Sequence, residues 1–219
     1  MTSLFKRTLV IVAGINGSGK STAYESDPKF TNYIPIINPD IYAKELAKEL
    51  GGESINDLPC NIQNRINIKA GKQAIKAREY AFSKGIDFGI ETTATSETTL
   101  KLIDKAHSLK YKVMLVYFML PNADLNIIRV NQRVKMGGHF VSDEDISRRY
   151  IRANSLFPKL LNKADIAYVY DNTYGYNLAL EKNNGKYTLF PSNEEIKEKL
   201  EKAVKEITKR KIKMTDIER

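Results

Sequence analysis

"LVIVAGINGSGKST", Leu9 to Thr22, opens as an apolar, β-branched run and turns abruptly to glycines, one lysine and two hydroxyls. The first half has the make-up of a buried parallel strand. Inside it, "GINGSGKS", Gly14 to Ser21, fits the pattern G-x-x-x-x-G-K-[ST]. A glycine loop that follows a strand and opens a helix is a phosphate-binding loop. Its glycines let backbone N–H groups approach a polyphosphate, and the helix N-terminus adds partial positive charge. Asn16, Gly17, Ser18, Gly19, Lys20, Ser21 and Thr22 are therefore the candidate nucleotide-binding residues. Lys20 would reach the terminal phosphates of ATP, and the Ser21 hydroxyl would coordinate Mg²⁺. The loop alone does not separate a motor, a switch, a transporter ATPase and a kinase.

Outward from the loop, apolar runs alternate with helical patterns. "TLVIVAG" (8–14), "YIPIIN" (33–38), "IDFGIET" (86–92), "KVMLVYFML" (112–120) and "DIAYVYD" (165–171) read as buried strands. Helical stretches follow Gly19 and cover 41–50, 62–83 (ended by Gly85), 97–109, 123–136 (ended by Gly137 and Gly138) and 143–156, the last capped by Ser142 with Asp145 closing a capping box. Such alternation predicts an α/β fold, a P-loop NTPase with a five-stranded parallel sheet flanked by helices, similar to nucleoside and shikimate kinases. "NLALEKNNGKYTLF" reads as a hairpin turning at Asn184-Gly185, and a charged helix over 193–211 closes the chain. Residues 1–219 read as one domain, with a lid over 137–157 and the hairpin and helix over 174–212.

The chain carries 35 basic and 26 acidic residues, a net charge of +9. Residues 129–163 hold eight basic side chains against three acidic ones, while the C-terminal run from Glu194 is nearly balanced. A local positive patch selects anionic ligands, phosphates or nucleic acid. No apolar run approaches the ~18–20 residues of a membrane span. The start "MTSLFKRTLVIVAG" has no small-residue cleavage site and runs straight into the glycine loop, so it is not read as a signal peptide. The single Cys60, with no export signal, points to the cytoplasm. One cysteine and two separated histidines, His107 and His139, argue against a zinc site.

Further signals each have a plain alternative. "INPD" ends the second strand, where ligands gather in an open parallel sheet. Asp40 could take the proton of a substrate hydroxyl, or Asn38 or Asp40 could simply cap the next helix. Glu91 and Thr93, in "FGIETT", could hold an acceptor, or Thr93 or Thr95 could be a cap and Glu91 a solvated strand end. In "RVKMGGHFVSDEDISRRYIR", Arg133 precedes two glycines and Arg148 and Arg152 share a helix face. A glycine-hinged helix bearing arginines suits a lid that neutralises charge during phosphoryl transfer. Its alternative is surface pairing of Glu144 with Arg148 and Asp145 with Arg149. His139 reads as a hinge or packing residue. Asp171 and Asn172, in "YVYDNT", lie near the nucleobase side or form a plain turn.

Taken in order, "AGINGSGKST", "INPD", "FGIETT", "RVKMGGH", "RRYIRANSLF" and "YDNT" resemble the zeta-toxin family of P-loop kinases, in particular its compact bacterial branch. The resemblance runs from Leu9 to Thr173. It implies ATP and Mg²⁺ as cofactors, with Lys20, Asp40, Arg133 and one arginine of the group Arg148, Arg149 and Arg152, Arg148 by preference, as catalytic residues. Asp40 matches the general base; Glu91 and Thr93 match the substrate-contacting acid and threonine. It further implies phosphorylation of a small-molecule hydroxyl, as of UDP-N-acetylglucosamine in characterised members, and a cognate antitoxin that blocks the nucleotide site.

The residues themselves favour a small-molecule kinase. The competing reading is a nucleotide-gated module that contacts nucleic acid through the basic patch, but no aromatic-rich basic stripe accompanies the arginines. "KVMLVYFML" ends in Pro121-Asn122 without an acid, against a transporter ATPase. The absence of an N-K-x-D-like reader argues against a GTPase.

Overall fold

The computed structural model describes residues 7–52, 55–138 and 140–217. The five expected strands form as β1 (Thr8–Ala13), β2 (Ile36–Ile37), β3 (Phe88–Thr92), β4 (Lys112–Met119) and β5 (Ile166–Asp171). They pair in parallel in the order β2-β3-β1-β4-β5. The sheet thus grows outward from β1 in both directions, which puts the loop after β1 at the centre of its carboxyl edge. The C-terminal hairpin, β6 (Asn177–Asn183) and β7 (Lys186–Leu189), joins this sheet: β6 runs antiparallel to β5, and the sheet has seven strands.

The helices are α1 (Lys20–Ser26), α2 (Pro39–Glu49), α3 (Cys60–Lys84), α4 (Thr98–Ser108), α5 (Ala123–Lys135), α6 (Asp143–Lys163) and α7 (Glu194–Ile217). Caps set several of them. Asn38 Oδ1 accepts from Asp40 N at 2.9 Å, Asn122 Oδ1 from Leu125 N at 3.1 Å, and Ser142 Oγ from Asp145 N at 3.2 Å. Each supplies an acceptor for a first-turn N–H that has no partner within its helix.

The closing helix runs on to Ile217 rather than 211, and other ends shift by a residue or two; two differences have a local cause. β2 shrinks to two residues because Asn32 and Tyr33 adopt left-handed backbone and Pro35 has no N–H to donate. In the other direction α6 runs through Pro158 to Lys163. A proline inside a helix costs about 3 kcal/mol. Burial of Phe157, Leu160 and Leu161 on the continuing face offsets that, at roughly 1.5–3 kcal/mol each. The end of α6 is then held by Lys182 of β6, a buried lysine whose Nζ donates to the carbonyls of Leu161 (2.9 Å), Asn162 (2.8 Å) and Ala164 (2.5 Å). A cation at a helix C-terminus meets the negative end of its dipole.

Alternation along β1 explains the layers. Leu9, Ile11 and Ala13 face a core shared with Phe82, Ile103, Leu115, Leu160, Leu180 and Leu200. Val10 and Val12 face the other side, with Ala23, Val116 and Phe118. There Phe30 meets the rings of Phe118, Tyr170 and Tyr176 edge-on, at 5.0–5.6 Å between centroids. A third cluster, Ile15, Val130, Val141, Ile146 and Ala153, packs α5 and α6 beneath the glycine loop.

Candidate active site

The loop between β1 and α1 is fastened from outside. Asn126 Nδ2 donates to Asn16 O (2.7 Å), Asn172 Nδ2 to Ser18 O (2.9 Å) and Tyr176 Oη to Gly19 O (3.1 Å); within the loop itself, Lys20 Nζ donates to Ile15 O (3.1 Å). The carbonyl of a peptide unit points opposite to its N–H. Fastening the carbonyls of Asn16, Ser18 and Gly19 from outside therefore turns the amides of Gly17, Gly19 and Lys20 the other way, which is the arrangement of an anion nest. Gly17 (φ 80°) and Gly19 (φ 88°) allow it. A Cβ at Gly17 would lie 2.6 Å from Asn126 O, and one at Gly19 2.3 Å from Asn172 Nδ2.

Glu91, at the end of β3, is the hub of the site. Its carboxylate accepts from Ser21 Oγ (3.1 and 3.2 Å), Tyr24 Oη (2.8 Å) and Asn38 Nδ2 (3.0 Å), and lies 3.8 Å from Lys20 Nζ. Asn38 Nδ2 also reaches Tyr24 Oη at 3.2 Å. With its side chain only 16% exposed, Glu91 is not a solvated strand end. Lys20 is buried, and that burial lowers its pKa; the Glu91 charge opposes the shift and the Arg133 charge adds to it. Burial, with the Glu91 charge, raises the pKa of Tyr24, so the phenol stays a donor to the carboxylate. Tyr24 was not singled out in the sequence, yet its spacing shows it. It lies at i+4 from Lys20 and i+3 from Ser21, on one face of α1.

Asp40 lies in the first turn of α2, behind the cap made by Asn38, and is exposed. Its charge reaches Lys20, and among the described residues no hydrogen bond to its carboxylate is found. Asn38 takes the capping task, which leaves Asp40 chemically available. Thr93 Oγ1 lies 3.1 Å from Thr95 Oγ1 in a turn where Ala94 is left-handed (φ 56°). Neither threonine caps α4: Ser96 Oγ accepts from Thr98 N.

The arginines sort differently from the sequence preference. Arg148, 59% exposed, pairs with Asp145 at 2.5 Å. Arg149 instead donates from Nη1 to Asn16 Oδ1 at 2.8 Å. The helix register is the reason. Arg149 is three residues after fully buried Ile146 and four before fully buried Ala153, so it borders the face that α6 turns towards the loop, and Arg148 does not. Arg133 lies in the last turn of α5, where its carbonyl accepts from Gly138 N, and its charge bears on Lys20. Thr22 is exposed, and His139 lies outside the described residues. Asp171 is structural. It accepts from Thr173 N and Thr173 Oγ1 and, through its second oxygen, from Asn193 N, tying β5 to the start of α7.

The donor set fits a magnesium–polyphosphate. Inward amides, a buried ammonium and a hydroxyl meet at one end of the loop, with Glu91 and Asp40 beside them. Mg²⁺ typically keeps several waters and takes one or two carboxylates besides phosphate oxygens. Among the described residues no group of three or more His, Cys, Asp or Glu could hold a metal by itself. Ser21 would hold the ion, with Asp40 and Glu91 able to do so through water. Among the described residues no helix is long and apolar enough to cross a membrane.

A family model described as "Zeta toxin" matches residues 2–195. An uncharacterized protein of Haemophilus influenzae is 27% identical over 143 residues, covering 64% of this chain and 91% of its own length. The fold is shared with the solved AvrRxo1-ORF1:-ORF2 complex with ATP, at TM-score 0.66, 15% identity and 84% of this chain. This chain spans 60% of the matched chain there. It is shared too with the PezAT toxin-antitoxin system of Streptococcus pneumoniae, at TM-score 0.61 and 18% identity, over 95% of this chain and 89% of that one.

Proposed function

The chain belongs to the zeta toxin family and is a P-loop kinase, and on that premise we propose that it transfers the γ-phosphoryl group of ATP to a hydroxyl of a small molecule. The observation that carries this reading is the convergence of Lys20, Ser21, Tyr24 and Asn38 on Glu91, with Arg149 fastened to the same loop. Lys20 and Ser21 both meet the Glu91 carboxylate. An incoming triphosphate offers them stronger anionic partners, and Glu91 is freed to face the acceptor.

The amides of the loop and Lys20 hold the phosphates. Arg133 and Arg149 supply positive charge where the transferring group spreads its negative charge. The Asp40 carboxylate takes the proton as the acceptor oxygen bonds to the γ-phosphorus and the bond to the ADP oxygen breaks. Glu91 and Thr93 orient the acceptor. When bound, Mg²⁺ would neutralise phosphate charge. We take the acceptor to be a nucleotide sugar of the UDP-N-acetylglucosamine type, a cognate antitoxin to be the partner, and the cytoplasm to be the compartment. Family membership supports the first, the toxin-antitoxin system among its structural likenesses the second, and the single free Cys60 the third. Arg129, Arg148 and Arg149 are committed to Asn172 and Thr173, to Asp145 and to Asn16, which disfavours a nucleic-acid surface built from that cluster.

The deciding experiment incubates the purified protein with labelled ATP and a panel of nucleotide sugars, small metabolites and nucleic acids. Label in a sugar hydroxyl supports the reading. Label in none of them, with ATP consumed only when nucleic acid is present, overturns it.

A further inference from the structure

The turn from Asn172 to Tyr176, between β5 and β6, has both ends pinned to the glycine loop and a bare apex. Asn172 and Tyr176 hold the carbonyls of Ser18 and Gly19, and Arg129 Nη2 donates to the carbonyls of Asn172 (2.7 Å) and Thr173 (3.0 Å). At the apex Tyr174 is 95% exposed, followed by Gly175 with open space around it. Tyr174 has the highest exposure among the large apolar and aromatic side chains described.

Strand order places this ring relative to the nucleotide. The acidic groups of the proposed transfer, Glu91 and Asp40, lie on the β3–β2 side of the glycine loop, so the γ-phosphoryl end of a triphosphate must point there. The nucleoside then leaves the loop on the opposite side, past β4 towards the end of β5, where the 172–176 turn stands. Three side chains of that turn are already engaged: Asn172 Nδ2 on Ser18, Thr173 Oγ1 on Asp171 and Tyr176 Oη on Gly19. Few groups remain to read the edge of a base; a flat exposed ring remains to cover its face.

Resting on the kinase reading, we propose that Tyr174 stacks on the nucleobase of the phosphoryl donor, and that this subsite grips a purine by its face and discriminates little between adenine and guanine. Stacking tolerates any base because every base has a π-face.

The chain contains no tryptophan, so Tyr174→Trp introduces a single reporter. Its emission should change on adding MgATP or MgGTP and stay still with inorganic tripolyphosphate. By calorimetry, Tyr174→Ala should weaken ATP and GTP alike by about tenfold, leave tripolyphosphate binding as in the wild type, and be rescued by Tyr174→Phe. ATP affinity equal in wild type and Tyr174→Ala, with tripolyphosphate still bound, overturns the stacking alone. A hundredfold preference for ATP over GTP overturns the lack of discrimination. A wild-type protein that binds neither tripolyphosphate nor ATP takes the kinase reading down with it.

Discussion

Lys20 Nζ lies 3.8 Å from Glu91 Oε1 while donating to the carbonyl of Ile15, so the ammonium that would meet phosphate is already held by its own protein. Burial lowers its pKa from the ordinary 10.5, with Glu91 only partly restoring it. Between the lowered value and 10.5 the unfolded chain binds more protons than the folded one. Stability therefore rises with pH across that window, and the cost of burying the charge is fully present below it. A bound triphosphate adds negative charge and raises the pKa again. Above the lowered value, ATP binding should take up protons, and affinity should fall as pH climbs towards 10.5. Calorimetry in two buffers of different ionisation enthalpy measures the uptake; Lys20→Met should abolish it.

Lys20→Ala should reduce phosphoryl transfer at neutral pH by about a hundredfold or more, since a preorganised charge at the reacting group is removed. Transfer of labelled phosphate to the acceptor reads this directly, and wild-type rates in the variant would exclude the role.

Asp40→Asn should leave ATP affinity near wild type and remove turnover, because the side chain keeps its shape and loses its proton-accepting charge. Calorimetry and steady-state kinetics on the same preparation separate the two effects. Normal turnover would eliminate Asp40 as the base.

Arg149→Ala and Arg148→Ala should diverge. The first removes the guanidinium fastened to Asn16 and should lower kcat by roughly 10²–10³-fold. The second breaks an exposed pair with Asp145, of the sort that contributes ~0–1 kcal/mol, and should change rate and stability little.

Lys182→Met should destabilise the fold by about 2 kcal/mol, because carbonyls at the end of α6 lose a charged donor that no water replaces in a buried site. Urea denaturation should show a lower midpoint with an unchanged slope.

The sequence by itself determined the strand, glycine loop and helix start from Leu9 onward, the five parallel strands, and the cap at Ser142; that Asn38 rather than Asp40 caps α2 came from the structure. The features read from sequence are all local: continuous apolar, β-branched runs, glycines at fixed spacing, and a hydroxyl beside the N–H group it satisfies. The proximity of Glu91 and Asp40 to Lys20 was legible too, since all three end strands or open helices at one edge of a parallel sheet. Only the tertiary structure decided that Glu91 gathers four side chains, that Arg149 and not Arg148 reaches the loop, and that the hairpin completes the main sheet and caps α6 through Lys182. Asn16 and Arg149 are 133 residues apart, and Asn172 and Ser18 are 154 apart. No spacing rule spans such distances. Those contacts follow from which helix face is buried and how strands order themselves, quantities fixed by the packing of the whole chain.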